Sequence, residues 1–364
     1  MNISIGIVGL PNVGKSTLFN ALLKKTVAFA ANYPFATIDP NVGIVEVPDE
    51  RLPVLAKIVN TQKIVPAIVE FYDIAGLVKG ASEGQGLGNK FLSHIRETAT
   101  IAHVVRLFED GDVVHVANKV DPLDDIGIVT TELVLADLAT VTKQPEPKMN
   151  TTKEERYRYE VSQKVKIGLN KGIPVRLQGL TDNESVAIRD LQLLTMKPML
   201  YVFNVSEGQL AKKDEVQKKI DDILKQVGDD KSGRVILNAK LETELVALSP
   251  AEQIEYLKQY NVEEVGLNRL IKEAYRLLSL ISFLTAGEIE ARAWTIYKGM
   301  LAPAAAGVIH TDFEKHFIKA DIIPFGQFVE LGGWVKAREV GKVQIVGKEY
   351  EMKDGDVVEF KIGT

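Results

Sequence analysis

The segment Gly9–Thr17 has the residue types and the spacing of a phosphate-binding loop. It reads GLPNVGKST and fits the pattern G-x-x-x-x-G-K-[ST]. Its two glycines let the backbone bend so that successive N–H groups point into one concavity, where they bind the phosphates of a nucleotide. Lys15 is expected to contact the β- and γ-phosphates and to act in catalysis, and the Ser16 hydroxyl to bind Mg²⁺. The predicted phosphate-binding residues are Asn12, Val13, Gly14, Lys15, Ser16 and Thr17.

The residues on either side predict the structural context that this motif needs. Ile3–Leu10 is an apolar run of strand length, and Ser16–Lys25 has apolar residues at helical spacing. A strand, a glycine turn and a helix in that order distinguish a phosphate loop from an ordinary turn before a helix. We therefore predict a P-loop NTPase domain with a doubly wound α/β sheet.

Two later segments supply candidate oxygen ligands for the metal ion. Thr37 lies in a stretch rich in turn-forming residues, where switch-type NTPases place a threonine that completes the Mg²⁺ shell; a plain surface loop is the alternative. Asp73 follows the apolar run Ala67–Tyr72 and begins the pattern DxxG. Its carboxylate is predicted to bind Mg²⁺ through water, and the Gly76 amide to contact the γ-phosphate. The predicted metal ligands are Ser16, Thr37 and Asp73.

The residue after Gly76 is Leu77, where Ras-type enzymes carry the Gln that orients the attacking water. A leucine side chain neither donates nor accepts a hydrogen bond. Activation of water must therefore come from another loop, a bound cation or a partner molecule.

Two segments compete for recognition of the base. Asn118–Asp121 reads NKVD, the guanine-reading pattern, but only nine residues separate it from Phe108 at the end of the preceding predicted strand. A crossover between parallel strands needs about a dozen residues or more, so NKVD has no strand of its own. Asn204–Glu207 reads NVSE and directly follows the apolar run Pro198–Phe203. A predicted helix over roughly Lys213–Gln226, a strand and then Asn238–Lys240 come next, the order in which such proteins hold their base.

The NVSE segment differs chemically from the guanine pattern. An Asp in NKxD accepts two hydrogen bonds from guanine, whereas Glu207 is one methylene longer, and Val205 replaces the Lys that would pack over the base. Asn204 can pair with adenine, whose edge offers N7 as acceptor and N6–H₂ as donor. Ala239 in the last loop completes the predicted nucleotide site. Loss of a bidentate pair costs about 1–3 kcal/mol of base discrimination, so we expect ATP to be favoured over GTP without excluding GTP.

Composition excludes several classes of protein. The chain has 364 residues and an apolar fraction of 46%. Because it contains no Cys, disulfides and thiolate metal sites are excluded. Because its net charge is −5, any surface that binds nucleic acid must be a local basic patch. No apolar run approaches the roughly 18 residues of a membrane span, and the N-terminal apolar run is the predicted first strand rather than a signal segment. A cytoplasmic protein that binds no membrane is the simplest interpretation.

The middle and the end of the chain depart from the α/β alternation. Thr130–Leu194 contains two helical stretches broken around Gln144–Pro147, which predicts an inserted helical hairpin. Residues 141–180 contain nine Lys or Arg against four Glu, so this arm is a candidate for contact with RNA phosphates, with a solvated helical face as the alternative.

From about Phe283, short strands predict a small mixed β domain; one is expected over Gly307–His310 and a helix over Asp312–Lys319. The predicted domains are the nucleotide-binding domain (1–128 and 197–278), the arm (129–196) and the C-terminal domain (279–364).

These motifs together resemble YchF, the bacterial branch of the Obg-like ATPases. The resemblance covers the whole chain and rests on GLPNVGKST (9–17), NYPFATIDPNVG (32–43), DIAGLVKGASEGQGLGN (73–89), NVSE (204–207), AWTI (293–296), AAGVIHTDFEKHFIKA (305–320) and DGDVVEF (354–360). It implies a nucleotide domain, a helical hairpin inserted into it and a C-terminal TGS domain of β-grasp type. It also implies an ATPase that binds the ribosome and hydrolyses slowly alone.

The resemblance bears on individual residues as well. NVSE matches the family's ATP-preferring NxxE, whereas NKVD is less typical of the family. The position after DxxG is hydrophobic in the family, as Leu77 is here, and a His proposed to assist catalysis from a mobile loop corresponds to His115; a structural histidine is the alternative. Imidazole can orient or deprotonate water near neutral pH. Asn12 is similar to an Asn that helps related NTPases hold K⁺ near the phosphates.

Three hypotheses follow. The leading one is a Mg²⁺-dependent ATPase that acts as a monomeric nucleotide switch on the ribosome and its RNA, with K⁺ as a further candidate cofactor. The second is a GTPase or dual-purine NTPase, through NKVD or through a permissive NVSE pocket. The third is an RNA-binding module whose nucleotide is not turned over.

Overall fold

The structure is a computed structural model that describes residues 4–32, 41–74, 87–109 and 120–363. Within these residues the strands are β1 Ser4–Val8, β2 Val42–Glu46, β3 Ile64–Val65, β4 Ile68–Asp73, β5 Thr100–Arg106, β6 Met199–Asn204, β7 Gly233–Leu237, β8 Leu280–Ala286, β9 Ala291–Tyr297, β10 Phe317–Pro324, β11 Gln344–Val346 and β12 Asp356–Ile362. The α-helices are α1 Lys15–Asn32, α2 Arg51–Ile58, α3 Leu87–Glu97, α4 Pro122–Thr142, α5 Lys153–Asn170, α6 Asp182–Ala187, α7 Glu207–Leu210, α8 Lys213–Gln226, α9 Ala239–Leu245, α10 Pro250–Lys258, α11 Gly266–Leu277, α12 Ala302–Ile309, α13 Thr311–Lys315, α14 Phe325–Leu331 and α15 Trp334–Glu339. None of the described helices is both long enough and apolar enough to span a membrane.

The chain divides into two compact units. The first consists of Ile3–Val45 and Glu70–Glu273, and the second contains Glu46–Val69 and Ala274–Thr364. The second unit therefore includes a segment from between β2 and β4, although nothing in the sequence indicates this. The limits of the arm within the first unit stay a prediction.

The sheet of the first unit has the strand order β2-β4-β1-β5-β6-β7. β1 pairs in parallel with β4 on one side and with β5 on the other, and β5, β6 and β7 continue in parallel. β1, β5 and β6 are buried at every position, as expected for parallel strands covered on both faces. The predicted doubly wound sheet is confirmed. Its strand order changes direction beside β1, and in such sheets ligands bind outside the carboxyl ends of the strands at this point.

The insertion between β5 and β6 is helical, as predicted, but its first helix begins at Pro122 rather than near Thr130. α4 and α5 share a small apolar core that includes Val134, Val141 and Val165. α5 begins with a capping box: the Thr152 hydroxyl accepts from the Glu155 N–H at 3.2 Å, while the Glu155 carboxylate accepts from the Thr152 N–H at 3.1 Å. Local sequence signals of this kind fix where the helix starts.

The sheet of the second unit has the order β11-β10-β12-β8-β9-β3 and mixes parallel and antiparallel pairs. α12 packs on it through Ala302, Ala305 and Ala306, which join a core with Phe283 and Ile296. The small mixed β domain is thus confirmed.

Two sequence predictions within the second unit are wrong. Gly307–His310 was expected to be a strand, but Gly307–Ile309 form the last residues of α12. Three consecutive alanines and a proline in the first turn favour the helix, and a short apolar run does not reveal its own secondary structure. The helix expected over Asp312–Lys319 ends at Lys315, and β10 begins at Phe317, which is buried while Ile318 is exposed.

The segment from between β2 and β4 is joined to the rest of the second unit by several polar contacts. β3 forms one edge of its sheet beside β9, where the Ala291 N–H donates to the Lys63 carbonyl at 3.0 Å. The Lys63 ammonium also lies 2.7 Å from the Glu290 carboxylate. Arg51 at the start of α2 lies 2.9 Å from the Asp354 carboxylate. The unit is therefore built from two stretches of chain that lie far apart in the sequence.

The base of the arm is held by a buried carboxylate, which gives a stability prediction. Asp137 of α4 is fully buried and accepts from the backbone N–H groups of Leu194 and Thr195, each at 2.7 Å. Asp137→Ala would leave both N–H groups unpaired, so we expect the free energy of unfolding in urea to fall by about 2–4 kcal/mol. Asp222→Ala on the exposed face of α8 is the control and should change it by less than about 0.5 kcal/mol. Equal midpoints for the two variants would contradict the assignment.

Candidate nucleotide-binding site

The candidate site lies at the carboxyl edge of the sheet in the first unit. β4 ends at Asp73, β5 at Arg106 and β6 at Asn204, and in the strand register Ile7 lies opposite Asp73 and Arg106 opposite Asn204. The P-loop follows β1 at the same edge. The fold therefore brings together side chains that are up to about two hundred residues apart in the sequence.

The P-loop has the backbone that its glycines predict. α1 begins at Lys15, and the Leu18 N–H donates to the Gly14 carbonyl at 2.9 Å. Gly14 has a φ of +97°, and a Cβ there would lie 2.1 Å from the Asn204 amide nitrogen. A Cβ on Gly9 would lie 2.7 Å from the Val104 carbonyl oxygen. At Gly9 the neighbour is a backbone atom that cannot move aside, and at Gly14 the positive φ and the hydrogen-bonded Asn204 amide both disfavour a side chain.

The opposite charges of Lys15 and Asp73 offset the effect of burial on each other only in part. Burial lowers the pKa of Lys15, and the charge of Asp73 offsets this only in part. Burial likewise raises the pKa of Asp73 against the opposing effect of Lys15. The Lys15 ammonium also donates to the Ile74 carbonyl at 3.4 Å. Since burial outweighs the pairing, a polyanion such as a triphosphate would provide negative charge that this ammonium lacks.

The described metal-ligand candidates fit Mg²⁺. One carboxylate oxygen of Asp73, Oδ1, is buried and has no hydrogen-bond partner among the described residues. The Ser16 residue is exposed at the start of α1. A carboxylate and a hydroxyl are oxygen donors of the kind that Mg²⁺ prefers. Three further predicted residues, Thr37, Gly76 and His115, lie outside the described part of the chain.

Asn204 is the central residue of the predicted base-reading motif, and its side chain binds protein on both sides. Its Nδ2 donates to the Val13 carbonyl of the P-loop at 2.9 Å, and its Oδ1 accepts from the Ala239 N–H at 3.0 Å. The side chain thus joins the P-loop to the start of α9. Each polar atom keeps one further bonding position, a second N–H or a second lone pair.

The other residues of this motif divide between the interior and the surface. Val205 is completely buried, and Ala239 is only 2% exposed, so neither side chain can flank a base from solvent. Asn238 fixes this region through its own amide, which donates to the Val205 carbonyl at 2.6 Å and accepts from the Leu241 N–H at 2.7 Å. Glu207, the first residue of α7, is partly exposed. Glu207 is therefore the motif's candidate for direct contact with a base.

The competing NKVD segment leads into the arm. Its Asp121 is the N-cap of α4, where the carboxylate accepts from the Asp124 N–H at 3.3 Å. Asn118 and Lys119 lie outside the described residues. β5 pairs directly with β6, so the strand next to β5 ends in Asn204. The motif that contacts the P-loop through a described side chain is thus NVSE.

Sequence reasoning missed two residues of this region. Arg106 is 1% exposed; its Nη1 donates to the Asn12 carbonyl at 3.4 Å and its Nε to the Phe108 carbonyl at 2.9 Å. A lone arginine at the end of an apolar run was the available signal. Tyr260 donates from its hydroxyl to the Glu207 carboxylate at 3.1 Å, and no sequence pattern pointed to it.

The chain is similar to known proteins along its whole length. Residues 4–136 match the family model of a "50S ribosome-binding GTPase", and residues 280–363 match that of the C-terminal domain of YchF GTPases, described as a protein of unknown function. The chain is 47% identical over 368 residues to the ribosome-binding ATPase YchF of Bacillus subtilis, covering 100% of both chains. It is 46% identical to the protein of the same name in Escherichia coli O157:H7, covering 99% of both. The structure of the Schizosaccharomyces pombe YchF GTPase matches with a TM-score of 0.86 and 38% identity, over 99% of this chain and 98% of that one.

The two bonds of Asn204 give a testable prediction. Asn204→Asp keeps an acceptor for the Ala239 N–H but replaces the donor to the Val13 carbonyl with a second oxygen. Leaving this carbonyl unpaired opposite a carboxylate costs about 1–3 kcal/mol, so we expect nucleoside triphosphate affinity in calorimetry to fall about tenfold or more.

Asn183→Asp, the same substitution at an exposed position on α6, is the matched control and should leave the affinity unchanged. A thermal melt shows whether both variants fold. Equal affinities for Asn204→Asp and the parent chain would refute the role of this amide.

Proposed function

The chain belongs to the YchF family, and we propose that it is a Mg²⁺-dependent P-loop ATPase that associates with the ribosome. Relatives that are 43–47% identical are named ribosome-binding ATPases, which supports both parts of the proposal. The observation that supports the nucleotide assignment best is the contact of Asn204 with the P-loop, because it joins the first residue of NVSE to the phosphate-binding loop. The proposal includes slow turnover in the absence of a partner, a monomeric protein and a cytoplasmic location, where ribosomes work.

The proposed chemistry assigns a role to each part of the site. Lys15 and the P-loop amides bind the β- and γ-phosphates, and the Gly76 amide contacts the γ-phosphate. Mg²⁺, held by Ser16, Thr37 and Asp73, would neutralise negative charge on the phosphates when bound. A desolvated ammonium beside this carboxylate holds its charge in a fixed position, so that little reorganisation is needed during transfer.

Two elements would act on the attacking water and on the loop around it. His115 would orient or deprotonate the water, since Leu77 cannot. Asn12 has a φ of +63° and its carbonyl accepts from the buried Arg106; the proposal includes K⁺ near this residue as a further cation. Both assignments are part of the proposal because the family resemblance implies them.

Selection of the base would depend mainly on Glu207. Its carboxylate is an acceptor, and adenine presents the N6–H₂ group as a donor. Asn204 has one N–H and one lone pair left for the purine, because its other N–H and its other lone pair form the hydrogen bonds to Val13 and Ala239. Val205 and Ala239 would shape the pocket through their backbone and their bulk.

The proposed ribosome contact is the basic end of the arm. Lys143, Lys148, Lys153 and Arg156 are exposed and have no ion-pair partner among the described residues. Other basic side chains nearby are paired: Arg158 with Asp190 at 2.8 Å, and Lys164 with Glu184 at 2.6 Å. These four unpaired basic side chains lie where α4 connects to α5, among the exposed Glu146, Glu154 and Glu155. Such a cluster favours contact with RNA phosphates.

A GTPase or dual-purine NTPase is the second candidate. The family model over residues 4–136 is described as a GTPase, and so is the Schizosaccharomyces pombe relative. The remaining bonding positions on Asn204 do not distinguish the two purines. Parallel titration with both nucleotides separates the candidates.

The test of the function is the affinity for ATP and GTP measured on one sample with Mg²⁺. We expect tighter binding of ATP, and Glu207→Asp should move the preference toward GTP by about tenfold or more, because a shorter carboxylate restores the guanine-reading geometry. Lys15→Ala should abolish binding of both nucleotides while the protein stays folded in a thermal melt. Tighter binding of GTP by the parent chain would overturn the ATP assignment.

The arm gives a separate prediction about the ribosome. We expect Lys148→Glu with Lys153→Glu to reduce co-sedimentation with ribosomes several-fold, because the charge reversal repels RNA phosphates. Raising the salt concentration should weaken binding of the parent chain more steeply than binding of this variant. Lys218→Glu with Lys219→Glu on exposed α8 is the matched control. Equal co-sedimentation of both double variants would rule out this end of the arm.

A further inference from the structure

The carboxylate of Glu207 is held by a hydroxyl from a distant part of the first unit. The Tyr260 hydroxyl donates to Glu207 Oε2 at 3.1 Å, across 53 positions of sequence. Tyr260 lies just after α10, which ends at Lys258, whereas Glu207 begins α7. One of the two carboxylate oxygens is therefore already bonded before any ligand binds.

Both partners of this bond are fixed by their surroundings. The backbone before Glu207 forms a capping box, in which the Ser206 N–H donates to the Gln209 side chain at 2.9 Å. Gln209 in turn donates to the Leu107 carbonyl at 3.2 Å. The ring centroid of Tyr256 lies 6.0 Å from that of Tyr260. The carboxylate thus has a defined position at the start of α7.

The hydroxyl of Tyr260 remains a hydrogen-bond donor at any physiological pH. Burial, together with the interactions with Tyr256 and Glu207, raises the pKa of Tyr260 to about 12. Ionisation of the phenol would place a negative charge against the carboxylate. The hydroxyl therefore stays protonated and able to donate to Glu207 Oε2.

The orientation of the Glu207 carboxylate matters for the choice of purine. Guanine presents two adjacent donors, N1–H and N2–H₂, which fit a carboxylate that turns both oxygens toward them. On the corresponding edge adenine presents one donor, N6–H₂, beside the acceptor N1, so a single oxygen is enough. The bond to Tyr260 leaves each oxygen with lone pairs but restricts rotation of the carboxylate, which disfavours the two-oxygen pairing with guanine.

We propose that Tyr260 is a positioning residue for base specificity: its hydrogen bond to Oε2 fixes the orientation of the Glu207 carboxylate and keeps it from turning both oxygens toward a base. The proposal rests on the proposed function, in which Glu207 reads the base. It extends that function by naming a residue outside the motif that sets the orientation of Glu207. Tyr260 acts through Glu207 and is not itself a catalytic residue.

The test is Tyr260→Phe, which removes only the hydroxyl. We expect GTP affinity to rise about tenfold relative to ATP affinity, since a carboxylate released from Tyr260 can turn both oxygens toward guanine and restore part of the bidentate pair. Tyr297→Phe, the same change at an exposed position in the second unit, should leave the ratio unchanged. Tyr260→Leu also removes the hydroxyl and provides a second variant should Tyr260→Phe fail to fold.

A double-mutant cycle separates this role from a general effect on folding. In the background of Glu207→Gln, Tyr260→Phe should have no further effect on the ATP-to-GTP ratio, because the carboxylate through which it acts is gone. An unchanged ratio for folded Tyr260→Phe or Tyr260→Leu in the parent background would overturn the role of Tyr260 and leave the ATPase proposal intact. Absence of ATP binding by the parent chain would instead overturn the proposed function itself.

Discussion

The nucleotide site depends on one side-chain amide that bonds two parts of the chain at once. Asn204 donates to the P-loop and accepts from the start of α9, and it is separated from Val13 by 191 positions. The intervening chain includes the whole arm, so β6 must return beside β5 in the correct register before this contact can form. Contacts at the base of the arm, such as those of Asp137 with Leu194 and Thr195, fix the chain just before β6. The arm therefore contributes to the site because its folded base sets the position at which the chain re-enters the sheet as β6.

Electrostatics gives this candidate site a physical reason to favour a negatively charged ligand. Lys15 is 8% exposed, and burial lowers its pKa despite the nearby Asp73. A buried cation whose partner compensates it incompletely is costly in free energy. Phosphates would reduce that cost, and a divalent cation would do the same for Asp73. The same groups that destabilise the ligand-free site thus provide part of the affinity for a charged ligand.

The sequence predicted those parts of the fold that are encoded by contiguous patterns. The apolar run before the P-loop became β1, and the helix expected over Lys213–Gln226 has these bounds in the structure. Gly307–Ile309 was misjudged because a short apolar run is compatible with either secondary structure. The bonds of Asn204 and Tyr260 were not predictable, since each partner is brought close only by the completed sheet. The buried state of Val205 likewise follows from packing, which no local pattern reports.

The mixed sheet of the second unit has a consequence for the evolution of this chain. The family model of the C-terminal domain covers residues 280–363, yet β3 forms an edge of that sheet and Arg51 pairs with Asp354. A gene fragment encoding only the C-terminal stretch would lack that edge strand and α2. A single recombination event would therefore transfer this domain without its edge strand, and its sequence is expected to diversify in step with a stretch encoded more than two hundred codons upstream.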